Sequence, residues 1–307
     1  MSVVSTGLTE AGVRAEFMQR YDAAVTYYQD LATRIVSTKP SERYRWLGSA
    51  PKMRAWGTGR LAKGIRSEGY DVTAEKYEAT LEIDRDEVDD DQTGAIRVRI
   101  GELAIRAASH KDYLISQLLI NGATSGFNSY DGVTFFNAAH VSGASGEQSN
   151  VLTPTAADAD NPTVAEFKEA LKSAIATILA LKDDTGDPLS VTATGLVCVC
   201  PPSMYLTALE AVNATIIGST TNVLAGAARV IAFPWLTATD KWYLLKTEGG
   251  AMRPFVFQER RAIEVKALAE GSSEEFLREK YLYGVVARYA MTYGLFGYAV
   301  LNTFTET

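Results

Sequence analysis

Apolar side chains recur every three to four positions in four stretches of the chain, and this spacing predicts helices. The stretches are residues 8–34, 93–121, 163–182 and 204–214. Thr163 and Glu166 match a capping box at the start of the third. Ser203 is the expected N-cap of the fourth, and Gly122 stands at the C′ position of the second. The second helix is about 40 Å long at 1.5 Å per residue, so one side of it needs a domain core.

Alternation of apolar and polar side chains predicts strands elsewhere. Residues 76–85 show the pattern of a half-exposed strand. Its apolar face carries Tyr77, Ala79, Leu81 and Ile83. Further strands are predicted at residues 194–200, 228–233, 241–247, 252–267 and 279–303. We expect the last two to pack on the long helix. Cys198 and Cys200 point to one face of their strand, as small apolar core residues in a reducing compartment.

Residues 122–162 are rich in Gly, Ser, Asn and Ala, and we predict an irregular loop with one short strand. A turn at Asp131–Gly132 is expected to lead into that strand, with Phe135 and Phe136 buried. His140 together with Asp131 could serve in acid–base catalysis. No nucleophile motif, phosphate-binding glycine motif or paired-carboxylate motif accompanies them. We therefore interpret His140 as a packed, hydrogen-bonded core residue.

Composition limits the class of protein. The chain has 307 residues, of which 47% are hydrophobic and 22% charged, so we expect an ordinary globular protein with two packed units. No apolar run of about eighteen residues predicts a membrane span, and the N-terminus lacks the pattern of a secretory signal. The net charge of −7 argues against tight, sequence-independent nucleic-acid binding as the main activity, although a protein that only encloses nucleic acid is compatible with it.

One short stretch of the chain separates its charges by sign. Residues 43–67 contain seven basic residues and no acid, whereas residues 68–91 contain eleven acids interrupted only by Lys76 and Arg85. Residues 46–85 of this stretch resemble a long hairpin, which is marginal in water by itself and needs a surface to lie on. Exposed ion pairs are weak singly, but repeated over a symmetric interface they set register and partner choice.

We therefore predict that this segment makes contacts between subunits. The candidate contact residues on its basic side are Arg43, Arg45, Trp46, Arg54, Trp56, Arg60, Lys63 and Arg66. On its acidic side they are Glu75, Glu78, Glu82, Asp84 and Asp86. The hypothesis is that the arginines pair with the acids of residues 75–91, within one hairpin or between neighbouring subunits.

Three other interpretations of charged or aromatic residues compete with this hypothesis. The basic half could bind DNA, but contact with acidic protein surface explains it better. Asp84 to Asp91 could hold Ca²⁺, yet the spacing of an EF-hand is absent and a solvated helix start is the simpler interpretation. The aromatic residues of 281–298 could form a stacking platform, but we favour sheet core and subunit interface.

Several segments of the sequence together resemble one known family. They are residues 42–60, 76–91, 130–140, 199–205, 255–261 and 281–300. In content and order they resemble the major head subunit of Mu-like phages and prophages, the gpT family, whose members have the HK97-type capsid fold. The resemblance covers nearly the whole chain.

The resemblance implies an α+β fold with a fixed order of parts. These parts are an N-terminal arm at 1–45, an E-loop hairpin at 46–92, a spine helix with the first part of the P-domain at 93–162, an axial A-domain at 163–248 and a P-domain strand return at 249–307. The A-domain loop 216–226 would converge at the centre of a hexamer or pentamer. Lys63 is near the hairpin tip, but nothing in the sequence requires cross-linking through it.

The function implied by the resemblance is structural. It is that of a major capsid protein that assembles in the bacterial cytoplasm into hexamers and pentamers of an icosahedral virion shell enclosing double-stranded DNA. Portal, scaffold or protease, and decoration proteins are the implied partners, with no cofactor, metal, membrane or catalysis. An encapsulin-like compartment shares the fold and is the nearest alternative, and a soluble hydrolase is an alternative from another class.

Overall fold

A computed structural model describes residues 10–39, 41–47, 67–90, 94–217, 220–250 and 252–307. The helices are α1 (Glu10–Ala23), α2 (Tyr28–Leu31), α3 (Arg85–Asp89), α4 (Ala95–Asn121), α5 (Val164–Ala180), α6 (Tyr205–Asn213) and α7 (Ser273–Arg278). The strands are β1 (Ala32–Val36), β2 (Ser41–Leu47), β3 (Ser67–Thr73), β4 (Glu75–Asp84), β5 (His140–Val141), β6 (Glu147–Gln148), β7 (Val151–Leu152), β8 (Thr155–Ala156), β9 (Leu196–Cys200), β10 (Ile216–Ile217), β11 (Thr220–Thr221), β12 (Arg229–Ala232), β13 (Lys241–Lys246), β14 (Phe255–Leu268), β15 (Lys280–Tyr293), β16 (Ala299–Thr303) and β17 (Thr305–Glu306).

The long helix α4 lies against a four-stranded sheet in the order β1-β14-β15-β4. Its buried side carries Ile96, Ile100 and Ala104, which pack with α1 and with the inner faces of β4 and β15. This confirms both the predicted helix and its need for a core. The alternation predicted for β4 is also confirmed, because its apolar side chains are shielded while Glu78 and Glu82 are exposed.

A second sheet has five strands in the order β12-β9-β13-β16-β7, and α5 and α6 pack against it. Helix α5 begins with the predicted capping box, in which Thr163 and Glu166 bind each other's backbone N–H groups. Cys198 and Cys200 are free thiols buried in this core, as predicted. A third cluster of buried side chains joins the two sheets and includes Phe135.

The predicted helix over residues 8–34 is wrong beyond Ala23. The chain leaves α1 there, forms the single turn α2, and continues as β1, which pairs in parallel with β14. The apolar residues of this segment therefore belong partly to a helix and partly to a strand, and the two elements bury different faces. A helix-period pattern by itself does not show where the chain turns.

Four further predictions differ from the structure in detail. Ser203 does not cap α6, because a 3₁₀ turn at Pro202–Met204 precedes that helix. Gly122 ends α4 with an ordinary φ of −62°, and its missing side chain instead makes room for Phe136, whose ring would lie 2.7 Å from an added Cβ. Phe135 and Phe136 are buried as predicted, but they lie outside any strand. Residues 140–156 hold four short strands instead of one.

The C-terminal segment divides between the two sheets. Strand β15 packs on α4 as predicted. Strand β16 instead pairs antiparallel with β13 in the five-stranded sheet, so residues 299–303 lie with α5 and α6. The aromatic run of residues 281–298 is largely buried: Tyr283 and Phe296 are each 1% exposed. That burial supports the sheet-core interpretation.

Candidate functional site

The charge-split segment forms two different structures. Strands β2 and β3 pair antiparallel as a hairpin, with Arg43 opposite Asp71 and Ser41 opposite Thr73. Strand β4 does not belong to that hairpin, because it pairs with β15 over ten residues as the edge of the four-stranded sheet. The predicted single hairpin over 46–85 is therefore wrong in its second half.

The predicted basic contact residues are described only in part. Arg43 is exposed on β2. Arg45 and Trp46 lie on the same strand, where only the backbone is described. The other five lie outside the described residues; they are Arg54, Trp56, Arg60, Lys63 and Arg66. Their role as contacts stays a prediction.

Three of the predicted acidic contact residues, Glu78, Glu82 and Asp84, lie on the outer face of β4. Glu75 begins that strand on the same face as Tyr77, and Asp86 lies on α3. Glu75, Glu78, Glu82, Asp84 and Asp86 are all exposed. The Tyr77 and Thr80 hydroxyls donate hydrogen bonds of 3.0 Å to Glu75 and Glu78. Glu82 forms an ion pair with Lys280.

The start of α3 explains the position of the last two acids. The Asp84 carboxylate caps the helix by accepting from the Asp86 N–H at 3.0 Å. Among the described residues no cluster of His, Cys, Asp or Glu has the arrangement of a metal site. The cap and the exposure of Asp84 and Asp86 agree with the simpler interpretation, a solvated helix start. We call Glu78, Glu82 and Asp84 the acid row, which is an exposed, charged surface on the edge strand.

The root of the hairpin is fixed to the body. Val72 and Ala74 are buried at its end, and the Arg288 Nε donates to the Ala74 carbonyl oxygen at 3.0 Å. On the other strand, the Ser37 hydroxyl donates to Glu42 at 2.9 Å. The hairpin therefore extends from an anchored base at the start of β4.

The segment after α1 is held to α4 by a buried acid. Asp112 accepts the backbone N–H groups of Tyr27 and Tyr28 at 2.7–3.1 Å. Burial raises the pKa of its carboxyl, although those N–H groups and the Lys111 ammonium oppose the rise. Lys111 in turn donates to the hydroxyls of Tyr21 and Tyr28 at 2.7 and 3.2 Å. This pair of residues fixes the point at which the N-terminal segment changes from helix to strand.

We expect Asp112→Ala to loosen this attachment. It leaves two shielded backbone N–H groups without their acceptor, at about 1–3 kcal/mol for each unsatisfied group. Urea denaturation is expected to show a loss of about 2–6 kcal/mol, and limited proteolysis is expected to cut near residues 24–31 first. The matched control is Asp30→Ala, which removes only a surface ion pair with Arg229 and is expected to cost less than about 1 kcal/mol. Equal losses in the two variants would contradict the assignment.

His140 is a core residue in the structure. Its Nδ1 lies 2.6 Å from the Asp131 carboxylate, and its ring stacks on Phe296 with centroids 3.8 Å apart. His140 is 0% exposed and the Asp131 side chain 1% exposed. A group without access to solvent cannot meet a substrate, so this arrangement supports the packed interpretation over acid–base catalysis.

The loop between α6 and β12 exposes apolar side chains. Residues 216–217 and 220–221 pair as a small antiparallel ribbon. Ile216 is 67% exposed and Val223 81% exposed. Asn222 fixes the base of the loop by donating to the carbonyl oxygens of Ala211 and Ala214 at 2.8 Å. Apolar side chains on a well-anchored tip are typical of a contact surface.

No helix in the described part of the chain has the length and apolar character to cross a membrane. The exposed charged and apolar surfaces on the hairpin, β4 and the 216–226 loop are the main candidates for function. All three lie at the periphery of the two-sheet body, where they can contact other molecules.

Comparison with known proteins identifies a family and several relatives that resemble this chain. Residues 7–163, 165–236 and 237–305 match the family model described as the Mu-like prophage major head subunit gpT. The Mu-like prophage FluMu major head subunit of Haemophilus influenzae is 33% identical over 155 residues, which cover 49% of each chain. The major capsid protein of Escherichia phage Mu is 32% identical over 127 residues, or 41% of each chain. The alignments thus span about half the length, or less, of these curated relatives.

The solved structures share the fold. A chain of the procapsid of bacteriophage JBD30 superposes with a TM-score of 0.54 and 23% identity, covering 95% of this chain and 74% of that chain. This likeness confirms the α+β, HK97-like fold. Because the family model matches almost the whole length of the sequence, this chain belongs to the Mu-like prophage major head subunit gpT family, a family of structural capsid proteins.

Proposed function

We propose that this chain is the major head subunit of a tailed bacteriophage or Mu-like prophage. It assembles in the host cytoplasm into hexamers and pentamers of an icosahedral shell that encloses double-stranded DNA. The observation that carries the proposal is the family match over residues 7–163, 165–236 and 237–305. It also favours a phage head over an encapsulin-like compartment, because both share the fold and only the family separates them.

The proposed mechanism is mechanical and needs no catalytic step. The body supplies three exposed elements: the hairpin β2–β3, the acid row of β4 and the 216–226 loop. Each gains contacts only when copies of the chain lie side by side. The hairpin overlaps a neighbouring subunit, and the 216–226 loops converge at the centre of each ring. The exposed Ile216 and Val223 support that placement of the loop.

The proposed P-domain and A-domain correspond to the two sheets and the helices packed on them. The hairpin leaves a P-domain built on α4 and the four-stranded sheet, and the A-domain consists of α5, α6 and the five-stranded sheet. Small rotations between these parts let one sequence serve both hexamers and pentamers. Portal, scaffold or protease, and decoration proteins complete the proposed head, and the DNA is enclosed without sequence-specific contacts.

Electron microscopy of the purified protein, together with its sedimentation profile, tests this proposal. Closed shells, tubes or ring-shaped capsomers are the expected result. A monomer at all salt and protein concentrations, which persists when the neighbouring head genes are co-expressed, would contradict it. Co-expression separates a missing scaffold from a wrong assignment of function.

A further inference from the structure

Three cations lie directly opposite one another on three neighbouring strands. Arg261 of β14 is in register with Arg288 of β15, and Arg288 is in register with Lys76 of β4. Like charges directly opposite each other in an antiparallel sheet are destabilising. Arg260 is the neighbour of Arg261, and together these four side chains line a depression of about 380 Å³ beside Ala74. The sheet thus concentrates positive charge at one place.

A β-bulge builds this depression. The register of β14 against β15 shifts between Glu259 and Arg261 and again between Arg261 and Glu264. Bulges re-aim side chains and are frequent near functional sites. Here the shift leaves Arg260 without a strand partner, so the arginine adds to the row of cations.

The described residues beside the cluster provide no acid that pairs with it. Within the described ranges, none of the four cations forms an ion pair with a carboxylate. The adjacent acids have other partners, because Glu259 pairs with Arg34 and Glu75 accepts from the Tyr77 hydroxyl.

The Arg260 Nε is buried and has no hydrogen-bond partner among the described atoms. A buried cationic donor without an acceptor is costly. The cluster is therefore incomplete as it stands and has the composition of a carboxylate-binding site, since arginine forks match carboxylates.

We propose that the depression formed by Lys76, Arg260, Arg261 and Arg288 binds the acidic segment 84–90 of a second copy of this chain. That segment exposes Asp84, Asp86, Glu87 and Asp90 within seven residues. This inference rests on the proposed assembly function and specifies one of its contacts.

The two sites cannot meet within one molecule. Lys76 and Asp84 lie near opposite ends of β4, and eight residues of strand span about 27 Å. A contact between the basic end of one copy and the acidic end of the next is heterologous, and such contacts generate rings when the rotation closes. The arrangement therefore suits a ring of subunits.

The charge of the chain favours a protein partner over a nucleic acid at this depression. The chain carries −7 overall, and Glu78 and Glu82 continue the outer face of β4 beyond Lys76. A long polyanion lying along this strand would meet those carboxylates, whereas a short acidic turn reaches the depression alone. The carboxylates of another copy are thus the better match.

The first test measures binding directly. The probe is a fluorescent peptide with the sequence of residues 82–92, and its binding to the whole chain is measured by fluorescence anisotropy. We expect salt-sensitive binding that weakens at least about tenfold in the Lys76→Glu/Arg261→Glu variant. Both substituted residues are exposed, so the fold should persist, as circular dichroism can verify. The matched control is Lys266→Glu, an exposed cation of β14 outside the depression, and it should bind as the unaltered chain does.

Three outcomes of this test would overturn the inference. They are an absence of peptide binding, equal binding by the Lys76→Glu/Arg261→Glu variant, and tighter binding of a short DNA duplex than of the peptide at the same site. A peptide with Asn and Gln in place of its acids should not bind. Because these measurements need no shell, they are independent of whether the chain assembles.

The second test exchanges the charges. Lys76→Glu/Arg261→Glu and Asp86→Lys/Glu87→Lys are each expected to lower the assembled fraction at least about tenfold at physiological salt. Combining all four substitutions in one chain restores the attraction and should recover assembly. Normal assembly of either double variant would overturn the inference and leave the proposed function intact. Failure of the unaltered chain to assemble with its head genes would contradict the proposed function instead.

Discussion

The double variant Arg54→Glu/Arg60→Glu is expected to remain folded and to form no shells at physiological salt. Both residues lie in the stretch 43–67, which has seven basic residues and no acid. The acid row that we propose as their partner is exposed on β4. Reversing two charges places acid against acid, and like-charge juxtaposition costs several kcal/mol at an interface. Repeated at every contact of a shell, this loss exceeds what assembly can tolerate.

Sedimentation and electron microscopy measure this effect. The matched control is Lys168→Glu/Lys172→Glu on α5, which changes the net charge equally and is expected to assemble normally. Shells of the unaltered chain should also weaken as salt rises, since exposed charges are screened within about 3 Å at 1 M ionic strength. Unchanged assembly of the Arg54→Glu/Arg60→Glu variant would reject the hairpin hypothesis.

The substitution His140→Ala is expected to cost about 3–5 kcal/mol of the free energy of unfolding, because it removes a large buried ring and a buried hydrogen bond. It removes the ring nitrogen 2.6 Å from the Asp131 carboxyl group and leaves that group, which is 1% exposed, without this hydrogen-bond partner. It also removes the ring that stacks on Phe296. The Asp131 Oδ1 already lacks a partner among the described atoms, so the loop has little means to compensate.

Denaturation of the soluble chain measures that loss. His110→Ala serves as the comparison, because His110 is only half-buried and bonds the Tyr289 hydroxyl at 2.7 Å; we expect it to cost about 1–2 kcal/mol. In Asp131→Ala/His140→Ala the two losses should not add, because each single variant already breaks the same pair. A loss below about 1 kcal/mol for His140→Ala would contradict the structural role.

Local signals in the sequence predicted the elements that depend on local contacts. The capping box at Thr163, the stripe of α4 and the alternation of β4 all appear as predicted. Each involves residues within a few positions of one another, so the pattern contains both partners of the interaction. The charge split was also visible, because it is a property of one continuous stretch.

Contacts between distant segments needed the structure. The end of α1 near Ala23 depends on Asp112, more than eighty positions away, which holds the backbone of Tyr27 and Tyr28. The assignment of β4 to the body depends on β15, which is about two hundred positions away. Nothing near either segment identifies its partner, because register between strands is set by packing of the whole domain.

Some features of the candidate sites were visible in the sequence, and others needed the tertiary structure. The sequence by itself determined the family, the long helix, the half-exposed acidic strand and the separation of charges, since these follow from composition, order and short-range periodicity. Only the tertiary structure decided that β16 joins the second sheet and that Lys76, Arg288 and Arg261 stand side by side. The physical reason is that strand order and register bring together side chains that no local pattern relates, and the repulsion among them appears only after that pairing.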